Sequence, residues 1–299
     1  MNNNYYIGID GGGTKTAFGL FDEEGHCLDN LTLPTCHFLQ VGIEGCVTVL
    51  KEGIDILLQD KTYDSVVIGI GIAGYGSDEK ICHRLQIAID KTLDNYPHII
   101  TNDAHISLLG ASNNQDRILV IGGTGSIAYV QTASSFHRVG GWGYQLGDEG
   151  SAYWIGKQLL TEFCRQVDGI CVKNEIYYAI IEKFQIKNPY EIINIVHEMK
   201  NKRTEIAQLS LLCNQLANQG NQYCKNLLKK AGRILFNYVL YLSNKYKVYE
   251  VSYSGSLFKS HYVKQQFLEC LQDAHIQIKE AYGDALYGAY LFARYFSKD

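Results

Sequence analysis

The chain has 299 residues, of which 46% are hydrophobic and only three are proline. That length suits one large domain or two ordinary domains with sizeable cores. The formal net charge is −4 and no basic run occurs, which argues against a nucleic-acid partner because such proteins cluster Lys and Arg. No basic leader and no apolar run of membrane-spanning length is visible, so we expect a cytoplasmic protein without a membrane partner.

Cysteine and histidine do not indicate metal or disulfide chemistry. The nine cysteines are scattered from Cys27 to Cys270, and none forms a CxxC pair. This pattern predicts reduced, mostly buried thiols. The nine histidines include no HExxH motif, so no structural zinc site is expected and small-molecule chemistry is favoured.

The first predicted element is "YIGIDGGGTKTAFGLFD" (6–22), in which glycines separate two apolar segments. A Rossmann fingerprint needs a third glycine where Thr16 stands, and a Walker loop needs its lysine one residue before Lys15. Both motifs also lead into a helix, whereas here a short apolar segment and the turn-like "EEGH" follow. The glycines are therefore predicted to lie in a hairpin turn between two strands.

The following elements alternate between strands and helices and then repeat the opening. After a third strand, "CLDNLTL", the pattern predicts a helix over 43–58, the strand "SVVIGIGIAG", a helix over 79–93 and the strand "HIITNDA". The segment "RILVIGGTGSIAYV" (117–130) then repeats the strand, glycine turn and strand of the N-terminus. A helix-rich stretch over 151–246, the strand "YEVSYSG", a helix, the strand "HIQIKEA" and a helix from about Asp284 complete the chain. The second half thus repeats the first with a helical insertion.

The repeat predicts an α/β protein with two lobes, 1–112 and 113–299, facing one another across a nucleotide cleft. In one alternative the last helix packs on the first lobe. Glycine turns let backbone N–H groups approach phosphate oxygens. Thr14 and Thr124 would add hydroxyl donors, and Asp10 is placed to hold Mg²⁺ through water. A single glycine hairpin is more often only a turn, but two matching copies favour a polyphosphate ligand.

A family resemblance rests on five motifs. They are "DGGGTKT" (10–16), "TNDAHISLLGA" (101–111), "IGGTGSIAYV" (121–130), "GGWGYQLGDEGSAYWIG" (140–156) and "SGSLFK" (254–259). With these motifs the chain resembles the BadF/BadG/BcrA/BcrD ATPase-type group of the sugar kinase, Hsp70 and actin superfamily, and specifically N-acetylglucosamine kinases. The resemblance implies two ribonuclease-H-like lobes and the use of ATP and Mg²⁺. It also implies phosphorylation of the 6-hydroxyl of an N-acetylated amino sugar, with N-acetylglucosamine as the first candidate.

Asp103 is the candidate general base. Phosphoryl transfer to an alcohol needs a carboxylate that accepts the hydroxyl proton, and Asp103 comes just after the apolar strand segment "HIIT". The alternative is that Asp103 only caps the next helix, but Asn102 can cap it equally well. The resemblance also puts the base at Asp103, which favours the catalytic role.

The resemblance implies two further sets of site residues. The nucleotide set is Asp10, Gly12, Gly13, Thr14, Lys15, Thr124, Gly125, Ser126, Gly220, Ser254, Gly255 and Ser256. The sugar set is Cys36, His37, Gly74, Asp103, Gly141, Trp142, Gly143 and Asp148. Structural alternatives exist for several of these residues, because Gly220 could simply end a helix.

The loop after the second repeat has its own structural alternative. Trp142 could belong to the core, and the carboxylates of Asp148 and Glu149 could cap the helix that begins at Ser151. Under that alternative the loop needs no ligand. Asp148 could both cap this helix and contact the sugar, whereas Glu149 is predicted only to cap the helix.

The chain departs from the family pattern at two positions near the acceptor sugar. Cys36 stands where the family has asparagine before the histidine, and Ala73 stands where some relatives have serine. The phosphate residues are intact, so the reaction class is better supported than the identity of the sugar. Glucosamine, N-acetylmannosamine and N-acetylmuramic acid stay open as acceptors.

Two rival functions exist on the same fold. Activators of acyl-CoA dehydratases hold an iron–sulfur cluster between subunits, but neither glycine turn contains a cysteine ligand, and Cys164 and Cys171 have no partner spacing. A sugar sensor that binds without phosphorylating is the other rival. The tyrosine-rich helical region from Tyr223 to Tyr253 could support a homodimer, which one sequence does not decide.

Overall fold

The protein is described here by a computed structural model that covers residues 4–76, 78–132 and 135–296. The described chain divides into two compact units. The first unit contains the described residues of 1–117, 131–136 and 280–299, and the second contains 118–130 and 137–279. The single lobe boundary after residue 112 stays a prediction.

The first unit contains a five-stranded sheet in the order β3-β2-β1-β4-β5. Its strands are β1 (Asn4–Gly11), β2 (Lys15–Phe21), β3 (Cys27–Pro34), β4 (Ser65–Ile72) and β5 (His98–Thr101). Strands β1 to β3 form an antiparallel meander, and β4 and β5 continue parallel to β1. Its first helices are α1 (Phe38–Leu58), α2 (Glu79–Thr92) and α3 (Asp103–Ser112). Helix α1 is kinked at Gly42, where φ is 73°.

The second unit contains another five-stranded sheet, in the order β10-β9-β6-β7-β8. Its strands are β6 (Arg117–Gly122), β7 (Ser126–Thr132), β8 (Ser135–Gly140), β9 (Glu250–Ser254) and β10 (Gln277–Ile278). Its helices are α4 (Ala152–Val167), α5 (Glu175–Phe184), α6 (Ile192–Glu198), α7 (Lys202–Asn218), α8 (Gln222–Tyr246) and α9 (His261–Asp273). Strand β8 was not predicted, because "SFHRVG" has no regular alternation of apolar residues. The helical insertion between β8 and β9 is confirmed.

The C-terminal helix α10 (Ala285–Phe296) belongs to the first unit. It packs on β1, β4 and α3. Glycines in the sheet permit this close approach, because a Cβ at Gly69 would overlap the carbonyl oxygen of Ala289. A Cβ at Gly8 would lie 2.6 Å from the carbonyl oxygen of Leu286. On the same helix Tyr290 is fully buried and stacks on Phe21.

Each unit has an apolar core of its own. In the first unit, the core lies between the sheet and helices α1 and α2, and includes Ile7, Leu50 and Ile68. In the second, it lies among the sheet and the inserted helices, and includes Phe163 and Leu235. The apolar runs of β1 and β4 are explained by this burial, because helices cover both faces of these central strands.

The predicted hairpin turns are confirmed in both copies. In the first, Gly11 pairs with Thr16 across β1 and β2, and the N–H of Gly12 donates to the Lys15 carbonyl at 3.0 Å. In the second, the N–H of Gly123 donates to the Gly125 carbonyl at 2.9 Å. The nine cysteines are free thiols. The prediction that most of them are buried is wrong, because only Cys36, Cys46, Cys213 and Cys224 are buried. Among the described residues, every helix is too short or too polar to cross a bilayer.

Candidate active site

The first glycine turn is held from one side by two side chains. The Thr35 hydroxyl donates to the Gly12 carbonyl at 2.7 Å, and the Gln40 amide donates to the Gly13 carbonyl at 2.8 Å. Because a trans peptide points its N–H opposite to its C=O, the amides that follow these carbonyls point away from Thr35 and Gln40. Thr14 is exposed, as a phosphate donor must be. The turn is therefore built to present N–H groups to an anion.

Asp10 at the end of β1 lies in a negative field. Its pKa is raised from 3.8 to about 6, first by burial and then by the charges of Asp103 and Asp284, with Lys15 acting in the opposite direction. A divalent cation beside Asp10 would offset the repulsion among these carboxylates, so this donor set fits Mg²⁺. Asp284 was missed from the sequence, because its only local signal is its position before a helix.

Asp103 is the first residue of α3, and its neighbour caps the helix. The Asn102 side chain accepts from the His105 N–H at 2.8 Å, so the prediction that Asn102 can serve as the cap is confirmed. Burial raises the pKa of Asp103, while its own N–H, that of Ala104 and the nearby His37 lower it. A carboxylate with a raised pKa is a stronger proton acceptor. The side chain of Asp103 is thus available for chemistry.

Two other predicted sugar residues of the first unit gather near Asp103. His37 is the N-cap of α1 and accepts from the Leu39 N–H at 3.3 Å. Its Nε2 lies 3.7 Å from the position of a Cβ at Gly74, and its charge acts on Asp103. His37, Gly74 and Asp103 therefore form one group.

Cys36 is oriented differently. Its side chain is fully buried, it hydrogen-bonds Cys46, and its Sγ lies 2.6 Å from the position of a Cβ at Gly11. The thiol of Cys36 supports the base of the first turn, because Gly11 precedes the turn directly. A sugar contact by Cys36 stays a prediction.

The second glycine turn rests on the N-terminus of α4. The N–H of Ala152 donates to the Gly123 carbonyl at 2.9 Å, and that of Tyr153 to the Thr124 carbonyl at 3.2 Å. The amides that follow these carbonyls point away from α4, by the same peptide geometry as in the first turn. Thr124 is exposed, whereas Ser126 is buried and its hydroxyl donates to the Glu149 carbonyl at 2.7 Å. Ser126 therefore stabilises the turn from inside.

An ion pair lies directly against this second turn. The buried Asp148 carboxylate accepts from the Ser126 N–H at 3.4 Å and from Arg203 Nη2 at 3.3 Å. A Cβ at Gly125 would lie 2.6 Å from Arg203 Nη2 and 2.7 Å from Asp148 Oδ2, so any larger residue there would force the ion pair to shift. The Arg203 side chain is 46% exposed, which leaves part of its guanidinium open to a ligand. Arg203 was missed from the sequence, because it comes from the distant helix α7.

The structural alternatives for the loop over 140–150 are wrong. Trp142 is 66% exposed and does not belong to the core. Ser151 caps α4 by accepting from the Trp154 N–H at 3.1 Å, so neither Asp148 nor Glu149 is the cap. Glu149 instead accepts from the Tyr238 hydroxyl at 3.2 Å. Core packing therefore does not account for the indole ring of Trp142, and helix capping does not account for the buried carboxylate of Asp148.

The other predicted sugar residues of the second unit lie along the same loop. The N–H of Gly141 donates to the Ser126 carbonyl at 3.1 Å, which ties the loop to the second glycine turn. The Gly143 carbonyl accepts from the N–H groups of Leu146 and Gly147 and closes a tight turn after Trp142. The structure thus brings Gly141, Trp142 and Asp148 close to the turn.

The predicted nucleoside residues divide into two places. Ser254 pairs with Ile121, and a Cβ at Gly255 would overlap the Gly122 carbonyl, so the segment 254–256 lies beside the second turn. Gly220 instead follows the end of α7 with φ of 108°, and the next residue caps α8. That geometry is typical of a helix-ending glycine, and a nucleotide contact for Gly220 stays a prediction.

Proteins similar to this chain include sugar kinases. An N-acetylmuramic acid/N-acetylglucosamine kinase from Clostridium acetobutylicum is 29% identical over 317 positions, covering 97% of this chain and 98% of the relative. A solved structure from Chromobacterium violaceum, described as a candidate N-acetylglucosamine kinase, has a TM-score of 0.75 at 22% sequence identity. The superposition covers 98% of this chain and 99% of that chain.

A second solved structure is a ROK family glucokinase from Streptomyces griseus in complex with glucose and AMPPNP. Its TM-score is 0.56 at 16% identity, with 97% of this chain and 99% of that chain covered. Because the sequence identities are low, these two structures are evidence for the fold alone. They confirm the predicted α/β fold with two ribonuclease-H-like lobes.

A family model extends the likeness along the sequence. It matches residues 7–293, which include both glycine turns, Asp103, the loop over 140–150 and most of α10. The motifs that suggested the resemblance therefore lie inside one continuous match. On that evidence the chain belongs to the BadF/BadG/BcrA/BcrD ATPase family.

Proposed function

We propose that this protein transfers the γ-phosphoryl group of ATP to the 6-hydroxyl of an N-acetylated amino sugar, with N-acetylglucosamine as the first candidate. Sugar kinase activity itself is supported by the named relatives, which are sugar kinases over nearly the whole chain length. The observation that carries the finer proposal is Asp103. Because Asn102 caps α3, the Asp103 carboxylate does not serve as the cap. Its pKa is raised by burial, and it lies near His37.

The two glycine turns supply the phosphate contacts in this proposal. Each turn has its carbonyls occupied from one side, so its amides are oriented before any ligand arrives. Preorganised donors of this kind stabilise charge without a reorganisation cost during the reaction. Thr14 and Thr124 add exposed hydroxyls, and Arg203 adds a positive charge next to Gly125.

Asp10 and Asp284 would hold Mg²⁺ in the first unit. When bound, the ion would offset the negative charge of the phosphates and of the carboxylates that face it. The residues present fit this role, because Asp10 is an oxygen donor whose pKa is raised by burial and by neighbouring carboxylates. Mg²⁺ and a cytoplasmic location are parts of the proposal.

Asp103 would accept the proton of the sugar hydroxyl as the bond to phosphorus forms. Loss of a positioned general base costs about 10²- to 10⁴-fold in rate. His37 and Gly74 are the candidate sugar contacts of the first unit, and Gly141, Trp142, Gly143 and Asp148 are those of the second. Glucosamine and N-acetylmuramic acid are the alternative acceptors, and a sensor without turnover is the alternative function.

The test is ADP release with ATP and Mg²⁺ against glucose, glucosamine, N-acetylglucosamine, N-acetylmannosamine and N-acetylmuramic acid. We expect the strongest signal with an N-acetylated sugar. Asp103→Asn should lower kcat by about 10²- to 10⁴-fold without lowering the melting temperature, because Asn102 keeps the helix cap. Asp116→Asn is the matched control, since Asp116 is exposed and lies outside the predicted site.

Two results would contradict the proposal. Absence of sugar-dependent ADP release from a folded, ATP-binding protein would favour the sensor or an ATPase switch. Full activity of Asp103→Asn would remove Asp103 as the base while leaving the kinase assignment in place. Mass spectrometry of the product would identify the phosphorylated hydroxyl.

A further inference from the structure

A groove with a cationic lining lies beside Trp142 in the second unit. Its volume is about 430 Å³, and its polar walls come from β8 and α8. The groove is lined by His137, Arg138, Trp142, Tyr241, Lys245 and Tyr246, together with apolar residues. None of its lining residues is acidic. In a chain with net charge −4, this combination creates a local positive field.

Both cations are already oriented by aromatic rings. The Arg138 guanidinium lies over the Trp142 ring with Cζ 5.1 Å from its centre, and Nη1 donates to the Gly141 carbonyl at 3.4 Å. A cation–π contact of this kind leaves guanidinium N–H groups that can donate to a carboxylate. Arg138 is therefore positioned without a carboxylate partner from the groove lining.

Lys245 is held in the same way from the other wall. Its Nζ lies 5.6 Å from the centre of the Tyr241 ring and 5.3 Å from that of Tyr246, and it donates to the Tyr241 hydroxyl at 3.3 Å. The His137 ring stacks on Tyr246 at 4.6 Å and completes this wall. Arg138 and Lys245 each lie against aromatic rings, and two cations arranged in this way favour a small organic anion over a neutral group.

The position of Trp142 connects the groove to the sugar. Trp142 is exposed, lines the groove and belongs to the loop that carries the predicted sugar contacts, so a sugar held by this loop would lie beside the groove. We propose that the groove binds the carboxylate substituent of an acidic amino sugar. Among the acceptors that the proposed function names, Arg138 and Lys245 would then favour an acidic one over neutral N-acetylglucosamine. This inference rests on the proposed kinase function. N-acetylmuramic acid, which carries a lactyl carboxylate, has the required chemistry.

The test compares one acidic acceptor with its neutral counterpart. The kcat/KM of ADP release is measured with N-acetylmuramic acid and with its methyl ester, which keeps the shape but removes the charge. Wild-type protein should prefer the acid. Arg138→Gln and Lys245→Gln should each reduce the ratio of acid to ester by about tenfold, as expected for the loss of a charge-assisted hydrogen bond. Arg138→Lys should retain most of the preference.

Lys229→Gln is the matched control. Lys229 is an exposed cation on the same helix α8 and does not line the groove. Its loss should leave the ratio of acid to ester unchanged, so a general effect of net charge can be separated from a contact. Raising the ionic strength should reduce the preference of wild-type protein, because an exposed charge contact is screened by salt.

The outcomes separate this inference from the proposed function. Activity on neither sugar would contradict the kinase proposal itself. Activity with equal kcat/KM for acid and ester, or an unchanged ratio in both variants, would overturn the groove assignment alone. A raised KM for ATP with an unchanged ratio would assign the cations to the nucleotide and would also overturn it.

Discussion

Asp10 occupies a position where burial and neighbouring charge both oppose ionisation. Its pKa of about 6 in the folded protein exceeds the ordinary value of 3.8, so the folded state binds this proton more tightly than the unfolded chain does. The free energy of unfolding should therefore fall as pH rises from about 4 to about 6, and stay lowered above that range. The protein retains a carboxylate that destabilises its ligand-free form, which is typical of a functional residue.

We predict that Asp10→Asn stabilises the ligand-free protein while removing its activity. At pH 7.5 the free energy of unfolding should rise by about 1 to 3 kcal/mol, because the buried negative charge is lost. Thermal unfolding at several pH values measures this, and the difference between variant and wild type should largely disappear by about pH 4. Asp116→Asn is the control at an exposed site and should change stability by less than about 0.5 kcal/mol. A destabilised Asp10→Asn protein would contradict the proposed repulsion.

Among the secondary-structure elements, α10 depends strongly on close packing. A Cβ at Gly69 of β4 would overlap the carbonyl oxygen of Ala289, and it would lie 2.9 Å from the N–H nitrogen of Ala293. Both atoms belong to helix backbone, which cannot move aside as a flexible side chain can. On the α3 side, a Cβ at Gly288 would overlap the carbonyl oxygen of Ile106. Helix α10 therefore fits the first unit only where these side chains are absent.

Gly69→Ala should consequently destabilise the first unit by about 1 to 3 kcal/mol, the range for overpacking in a dense core. Denaturant unfolding provides the measurement. Gly45→Ala is the comparison, because a Cβ there would lie 2.9 Å from the Val41 side chain, which is exposed and can shift more easily than helix backbone. This substitution should cost less than Gly69→Ala, since the preference of alanine over glycine in a helix, about 1 kcal/mol, offsets part of the strain. Equal effects of the two substitutions would contradict a special role for the contact between β4 and α10.

The elements also show what the sequence could and could not predict. Both strand–turn–strand units and the cap at Asn102 were predictable, because their signals are local spacing, apolar runs and cap residues. The carboxylate of Asp284 and the guanidinium of Arg203 were not, because each reaches its site only through the packing of a distant helix. Trp142 could be assigned to the core or to a ligand from its sequence context, and only its exposure decides against the core.

Each of the two units has a large core of its own, which bears on how the molecule unfolds. The core around Ile7 and Ile68 belongs to the first unit, and the core around Phe163 and Leu235 belongs to the second. We predict that calorimetry of the ligand-free protein resolves more than one transition, with a calorimetric enthalpy larger than the van't Hoff value. Gly69→Ala should lower only one of the transition temperatures. A single two-state transition that shifts as a whole would contradict this prediction.

The place of α10 has a consequence for how the protein is made. A ribosome releases β1 and β4 early, but the helix that covers their glycines is among the last segments synthesised. Until then the nascent first unit exposes an apolar sheet face, which is the kind of surface that chaperones bind. Asp284 arrives with that same helix, at its N-terminal end. The carboxylate group around Asp10 is thus assembled only when translation is nearly finished, and a chain shortened before residue 284 would lack one of the carboxylates whose charge acts on Asp10.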